Sequence, residues 1–323
     1  MAFSSSRILL GLFLLCSSSV VRYVHAQFLS PDFYNSSCPG LVSIVQEEMR
    51  SAVAAESRMG ASVLRLFYHD CFVSGCDASV LLDDTPAFAG EKNAIPNAQS
   101  LRGYEVIDGI KEKVEAACPA IVSCADILAL AAREGTILLG GPSWMVQLGR
   151  RDATTASQSA ANKELPSPSA TLNGLISLFV SKGFSAQDMT ALSGAHTLGF
   201  ARCVNFRSRL YGDADVDPAF AAQRRQSCPA ASGFGDDNWE PLDAQSPAGF
   251  DSAYYQNLML RQGLLRSDQE LFNGGSQDSV VTMYSNNAAA FRNDFAAAME
   301  KMAGMSPMTW PSGQIRLNCR RVN

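Results

Sequence analysis

Apolar positions recur at helical spacing along most of this chain, and clear period-two alternation is scarce. In Leu41–Ala55 the apolar residues fall at 41, 42, 44, 45, 49, 52 and 53, the stripe of an amphipathic helix. Met59–His69 is more uniformly apolar and predicts a buried helix. Gly103–Ala117 carries Tyr104, Val106, Ile107, Ile110 and Val114. Ser123–Leu139 is the most hydrophobic candidate, and Gly140-Gly141-Pro142 stops it. Helical patterns resume at Leu172–Lys182, Ala186–Leu192, Cys203–Tyr211 and Ala219–Gln226, then at Asp251–Gln262, Ser276–Ser285 and Ala288–Met302. The fold class is therefore mostly α, with about ten helices. Between the two halves, Ser143–Ser169 is polar and contains Leu165-Pro166-Ser167-Pro168. It reads as a long ordered loop, of the kind that is usually functional.

The first 26 residues stand apart from this pattern. Arg7 precedes the apolar run Ile8–Cys16, and small polar residues lead to Val24-His25-Ala26. That is the layout of a secretory signal peptide cleaved before Gln27. No later stretch reaches the roughly 18 apolar residues that a membrane span needs. The remainder, 27–323, reads as one domain with lobes of roughly 27–165 and 166–323. Loss of Arg7 and Arg22 with the signal moves the formal charge from −5 to −7. Without a Lys/Arg run, that balance argues against a nucleic-acid surface. Asn35-Ser36-Ser37 is a glycosylation sequon in an irregular arm, Phe28–Pro39.

Cysteines and histidines narrow the chemistry. Cys16 leaves with the signal, and the eight that remain read as four disulfides in a secreted chain. Eight cysteines allow 105 pairings. Zinc is disfavoured, because His25 also leaves and only His69 and His196 persist. Arg65 and His69 are four apart, so a helix projects both from one face. A helical arginine is ordinarily a surface ion-pair residue, but this one lies inside an apolar segment. Asp70, the Cys71/Cys76 loop, Asp77 and Ser79 follow at once. His196 sits among small residues in Leu192-Ser-Gly-Ala-His-Thr197, which would let a large flat group approach the backbone. A lone histidine there is ordinarily a core residue, but as one of only two it is a candidate haem ligand.

Seven motifs then occur in order. They are Arg65-Leu-Phe-Tyr-His-Asp-Cys-Phe-Val-Ser-Gly-Cys-Asp-Ala-Ser79, Glu91-Lys-Asn-Ala-Ile-Pro-Asn97, Val122-Ser-Cys-Ala-Asp126 and Gly149-Arg-Arg-Asp152, followed by the His196 motif, Ser267-Asp-Gln-Glu270 and Gly313-Gln-Ile-Arg-Leu-Asn-Cys-Arg320. Across residues 28–323 the sequence resembles the plant secretory (class III) haem peroxidases. The resemblance implies a two-lobed helical fold with one haem b between the distal and proximal lobes, two calcium ions and four disulfides. It implies a secreted, monomeric enzyme of the cell wall or apoplast, since no extension of the kind linked to vacuolar sorting follows Asn323. The activity implied is reduction of hydrogen peroxide, with phenolic donors oxidised in two one-electron steps. Roles in lignin and phenolic oxidation, oxidative stress and peroxide removal go with it.

Residue roles follow from the same resemblance. His69 would be the distal base and acid, Arg65 the cation that stabilises developing negative charge, and Asn97 the acceptor for the other nitrogen of His69. His196 would ligate the iron, with Asp268 behind it. Arg58, Ser62 and Ser100 would contact the haem propionates, and Pro166 would position phenolic donors. A distal calcium would take Asp70, Val73, Gly75, Asp77 and Ser79, with Glu91 acting through water. A proximal calcium would take Thr197, Asp243, Ser246, Gly249 and Asp251. The pairing implied is Cys38–Cys118, Cys71–Cys76, Cys124–Cys319 and Cys203–Cys228.

Four positions depart from the family pattern. Tyr68 stands where phenylalanine is usual; its hydroxyl would narrow access, add a hydrogen bond or host a radical. Leu198 and Asn205 stand where some relatives carry aromatics, and Ser246 where threonine is common. Two other classes remain: a catalytically silent binding module of the same fold, and a secreted calcium-dependent hydrolase using His69. Neither a GxSxG elbow nor an HExxH helix is present for the second.

Overall fold

The computed structural model describes residues 29–323; the predicted signal peptide, its cleavage point and Phe28 lie outside them. Among the described residues there are thirteen α-helices and a single two-stranded sheet. The first helices are α1 (Leu41–Ala55), α2 (Arg58–Val73), α3 (Tyr104–Ala117), α4 (Cys124–Leu138) and α5 (Gln158–Glu164). They are followed by α6 (Leu172–Ser181), α7 (Ala186–Ser193), α8 (Cys203–Gly212), α9 (Pro218–Arg224) and α10 (Ala253–Met259). The chain ends with α11 (Arg266–Gln269), α12 (Asp278–Asn286) and α13 (Ala288–Ala303). Strands β1 (Phe200–Arg202) and β2 (Trp239–Pro241) pair antiparallel, Phe200 opposite Pro241.

The hydrophobic stripe of α1 delivers Leu41, Val45 and Met49 to the core, and its bounds are those its periodicity predicts. Helix α2 starts one residue earlier and runs four residues further than its apolar run, so Asp70 and Cys71 are helical. Helices α2 and α4 approach at a glycine contact. A Cβ on Gly60 would lie 2.8 Å from the Gly135 carbonyl, and one on Gly135 would lie 3.1 Å from the Gly60 Cα. One hydrophobic cluster runs through both halves of the chain. Phe72 of α2 meets Phe179 at 4.9 Å and Phe184 at 5.7 Å between ring centroids.

The expected loop Ser143–Ser169 is not helix-free. It contains α5, whose N-terminal amide on Ala160 is capped by the Ser157 hydroxyl. Only Ala161 of that helix is buried, so it has no stripe to read. Four-residue α11 was likewise too short for periodicity. The helix predicted over Asp251–Gln262 is shorter, because Asp251 folds back to accept the Ala253 amide (2.7 Å) and Arg261 adopts a left-handed φ of 59°.

All four implied disulfides are present, closing separations of 80, 5, 195 and 25 residues. Cys124–Cys319 ties the end of the chain to the start of α4. The terminal segment also reaches the loop after α2, where the Cys76 amide donates to the Met305 carbonyl and the Arg316 guanidinium to the Ala78 carbonyl. No helix among the described residues is long and apolar enough to cross a membrane.

Candidate active site

Helix α2 is buried all round except for one stripe. Arg58, Ala61, Ser62, Arg65 and Tyr68 stay partly exposed, while their neighbours Val63, Leu64, Leu66 and Phe67 are covered. That i, i+3, i+4, i+7 spacing is one helix face. An internal helix with an open face needs an occupant. His69 borders this stripe and is itself buried.

The His69 ring is held at one nitrogen only. Its Nδ1 lies 2.6 Å from Asn97 Oδ1, and Asn97 Nδ2 donates to the Glu91 carbonyl at 3.0 Å. The second bond fixes which way the amide points, so Oδ1 must accept and Nδ1 must carry the proton. The Nε2 lone pair is then free. Burial holds the imidazole well below its ordinary pKa of 6.5; the Arg65 charge adds to this and the Asn97 bond opposes it. His69 is therefore a neutral acceptor at neutral pH. Arg65 donates to the Pro96 carbonyl (2.9 Å) and to Ser100 Oγ (3.2 Å). Burial lowers it to about 10, which leaves it a cation.

On the proximal side, His196 lies in a 3-10 turn, Gly194–Thr197, directly after α7. Its Nδ1 donates to Asp268 Oδ1 at 2.6 Å, and its side chain keeps 37% of its surface exposed. The two histidines are thus built alike: each has Nδ1 tied to a fixed oxygen and Nε2 without a partner among the described residues. Among the small residues around His196, Gly194 has a different use from the one expected. A Cβ on Gly194 would collide with the Tyr255 hydroxyl and the Phe291 ring, so Gly194 admits protein packing and not a ligand. Gly199 (φ 92°) faces α2, with Ala61 Cβ 3.3 Å from where its Cβ would be.

The remaining predicted residues fall as follows. Ser62 Oγ donates to the Arg58 carbonyl, and Arg58 stacks on Trp239 (4.0 Å) and Phe200 (5.3 Å) beside the open stripe. Ser100 sits behind Arg65 and donates to the Pro96 carbonyl. Pro166 is half-buried just beyond α5, and the neighbouring Pro168 carbonyl accepts the Ser267 amide next to Asp268. Tyr68 packs on Phe72 (4.3 Å) and meets His69 edge-on (5.6 Å); its hydroxyl has no hydrogen-bond partner among the described residues. Leu198 is buried and Asn205 half-buried. Asn35 is exposed, donating to Asp32 Oδ1 at 3.0 Å.

Behind each histidine lies a set of oxygens. Asp70 accepts the Ala78 amide (2.9 Å) and the Val80 amide (3.4 Å), and Asp77 accepts the Ser79 amide (3.0 Å). Val73 ends α2 and Gly75 turns the loop at φ 107°. Ser79 Oγ and Glu91 Oε2 are buried with no partner among the described residues, and such orphaned oxygens fit a hard cation. Burial raises the Asp70, Asp77 and Glu91 carboxyls, Glu91 to about 7, with mutual repulsion adding at Asp70. On the other side, Thr197 Oγ1 lies 3.0 Å from Asp243 Oδ2 and 3.3 Å from Asp251 Oδ1, with Ser246 Oγ 3.5 Å from Asp243. The Gly249 amide closes that turn onto the Ser246 carbonyl. No three His, Cys, Asp or Glu side chains among the described residues form a ready-made metal cluster. Each set also includes hydroxyls, Ser79 in the first and Thr197 and Ser246 in the second.

Two participants were given no role by the sequence. Arg316, fully buried, lies near Asp152, Asp70 and Asp77. Tyr254 donates from its hydroxyl to Asp268 Oδ1 at 3.1 Å. Arg316 falls inside the Gly313–Arg320 motif without a role of its own, and Tyr254 reads as an ordinary member of an apolar helix face.

A half-buried arginine, a neutral histidine with one free nitrogen and a second histidine backed by a carboxylate define a haem-dependent oxidoreductase site. The comparisons agree. The peroxidase family model matches residues 45–287. Peroxidase P7 of Brassica rapa subsp. rapa is 57% identical over 295 residues, 91% of this chain and all of the relative. Peroxidase 70 of Zea mays is 54% identical over the whole of both chains, and Peroxidase 68 of Arabidopsis thaliana 57% over 91% of each. The chain belongs to the peroxidase family, and within it to the class III plant peroxidases: it is a haem peroxidase that uses hydrogen peroxide.

Proposed function

We propose that this chain is a secreted enzyme that reduces hydrogen peroxide at His69 and Arg65 and oxidises small phenolic donors in two one-electron steps. One haem b would occupy the open face of α2, held by His196 through Nε2, with Arg58, Ser62 and Ser100 at its propionates. Bound there, the haem would supply the electrons that cleave the peroxide and the sites that donors later re-reduce. The chain's own residues do the rest. His69 Nε2 takes the proton from the near oxygen of the peroxide and returns it to the departing one. Asn97 keeps the imidazole in the tautomer that can do this. The Arg65 cation, held by Pro96 and Ser100, stabilises negative charge on the leaving oxygen. Asp268 polarises the His196 imidazole. Pro166 would orient donors, and calcium ions at the Asp70 and Asp243 sets would brace α2 and the His196 turn. Cell-wall release, a glycan on Asn35 and a monomeric state complete the reading.

The observation that carries it is the matched pair of imidazoles, each pinned at Nδ1 by a 2.6 Å bond with Nε2 left free. Its test is the absorption spectrum of the purified protein before and after peroxide. A Soret band that responds is expected. No Soret band refutes the haem, and a band indifferent to peroxide leaves the silent module. His69→Ala should keep the haem yet slow the peroxide reaction by roughly 10²- to 10⁴-fold.

A further inference from the structure

The carboxylate behind His196 serves two donors at one oxygen. Asp268 Oδ1 accepts from His196 Nδ1 at 2.6 Å and from the Tyr254 hydroxyl at 3.1 Å, while Oδ2 accepts the Leu265 amide at 3.1 Å. Tyr254 is 1% exposed, and its ring stands edge-on to His196, centroids 6.2 Å apart. Burial and the Asp268 charge hold the phenol far above its ordinary pKa, so it stays a donor throughout the working pH range.

The phenol is also fixed from its other end. Ala253, its neighbour, donates its amide to Asp251 Oδ1 (2.7 Å), and that oxygen receives the Thr197 hydroxyl (3.3 Å). Thr197 is bonded to His196 in the chain. His196, Asp268, Tyr254, Ala253, Asp251 and Thr197 therefore close a ring with a carboxylate at each of its two bridges. Tyr254 cannot leave Asp268 without disturbing it.

Resting on the assignment of His196 as iron ligand, we infer that Tyr254 is a positioning residue that sets how strongly His196 donates to the iron. Two hydrogen bonds at one carboxylate oxygen share its charge, and each weakens the pull on the other. Without the phenol O–H, Asp268 draws harder on the Nδ1 proton. The imidazole then becomes more anionic and favours ferric over ferrous iron.

The test uses the haem-loaded protein with Tyr254→Phe, and Asp268→Asn as reference. The readouts are the ferric/ferrous midpoint potential and the iron–histidine stretching frequency of the ferrous protein. Tyr254→Phe should move the potential down and the stretch up, opposite to Asp268→Asn. A more acidic fluorotyrosine at position 254 donates more strongly and should shift both the other way, which keeps the test decisive if the phenylalanine variant folds poorly. Unchanged values in both Tyr254 variants, with Asp268→Asn shifted, overturn the inference. If instead no iron–histidine band appears in the parent, the ligand assignment itself has failed.

Discussion

Replacing Asn97 by valine removes the acceptor that fixes the His69 tautomer while keeping a side chain of similar size. The bond is 2.6 Å long and buried, and its loss leaves an unsatisfied Nδ1–H. A buried bond broken on one side costs about 1–3 kcal/mol. At 1.36 kcal/mol per tenfold, the rate with peroxide should fall roughly 5- to 150-fold, at or below the lower end of the loss expected for His69→Ala. The pH profile is the sharper readout. The Asn97 bond raises the His69 pKa against burial and the Arg65 charge, which both lower it. The active form is the neutral imidazole, so the parent should keep its rate until the pH is well below 6.5. Asn97→Val should move that acid limb still lower even as the plateau drops. The assay is stopped-flow decay of the resting Soret band at several peroxide concentrations across that range. Because Asn97 Nδ2 also holds the Glu91 carbonyl, calcium content and thermal midpoint serve as controls. A plateau within twofold of the parent, or an acid limb displaced upward, would refute the argument.

Stripping calcium with a chelator should lower the thermal midpoint, and more so at higher pH. In the metal-free fold Glu91 is raised from 4.5 to about 7. The folded state then binds more protons than the unfolded one, so stability falls as pH rises through that window; a flat or rising midpoint over it would contradict this. Tyr68→Phe should change the peroxide rate less than about threefold, since the hydroxyl holds neither Arg65 nor His69 and the ring contact with Phe72 survives; a tenfold change would show that the hydroxyl takes part. Replacing both cysteines of the 195-residue pair Cys124–Cys319 should cost about 5 kcal/mol in urea unfolding, against about 3.5 for the 25-residue pair Cys203–Cys228. Equal losses would show that the denatured chain is not the seat of the effect.

Which parts of this molecule can be read from its sequence depends on how far apart the interacting groups lie. Helix α1 is legible to the residue because Leu41, Val45 and Met49 repeat within one element. Arg65 and His69 are legible because one turn of α2 brings them together. Asn97 is 28 residues from His69, Asp268 is 72 from His196, and Cys319 is 195 from Cys124. No local pattern encodes those pairings, and only resemblance supplied them. Tyr254 had no such help, since in α10 it looks like any aromatic facing the core. The open stripe of α2 was hidden for a different reason. Met59–His69 reads as a buried helix, and its sequence does not say that Ala61, Ser62, Arg65 and Tyr68 are only half covered by protein. The segment as a whole is apolar enough to bury, yet this one face is left half covered by the chain. A helix whose composition asks for more cover than its fold provides is itself a sign of a missing partner. Here the partner must be flat enough to lie along one helix face and able to accept a nitrogen from the turn that holds His196.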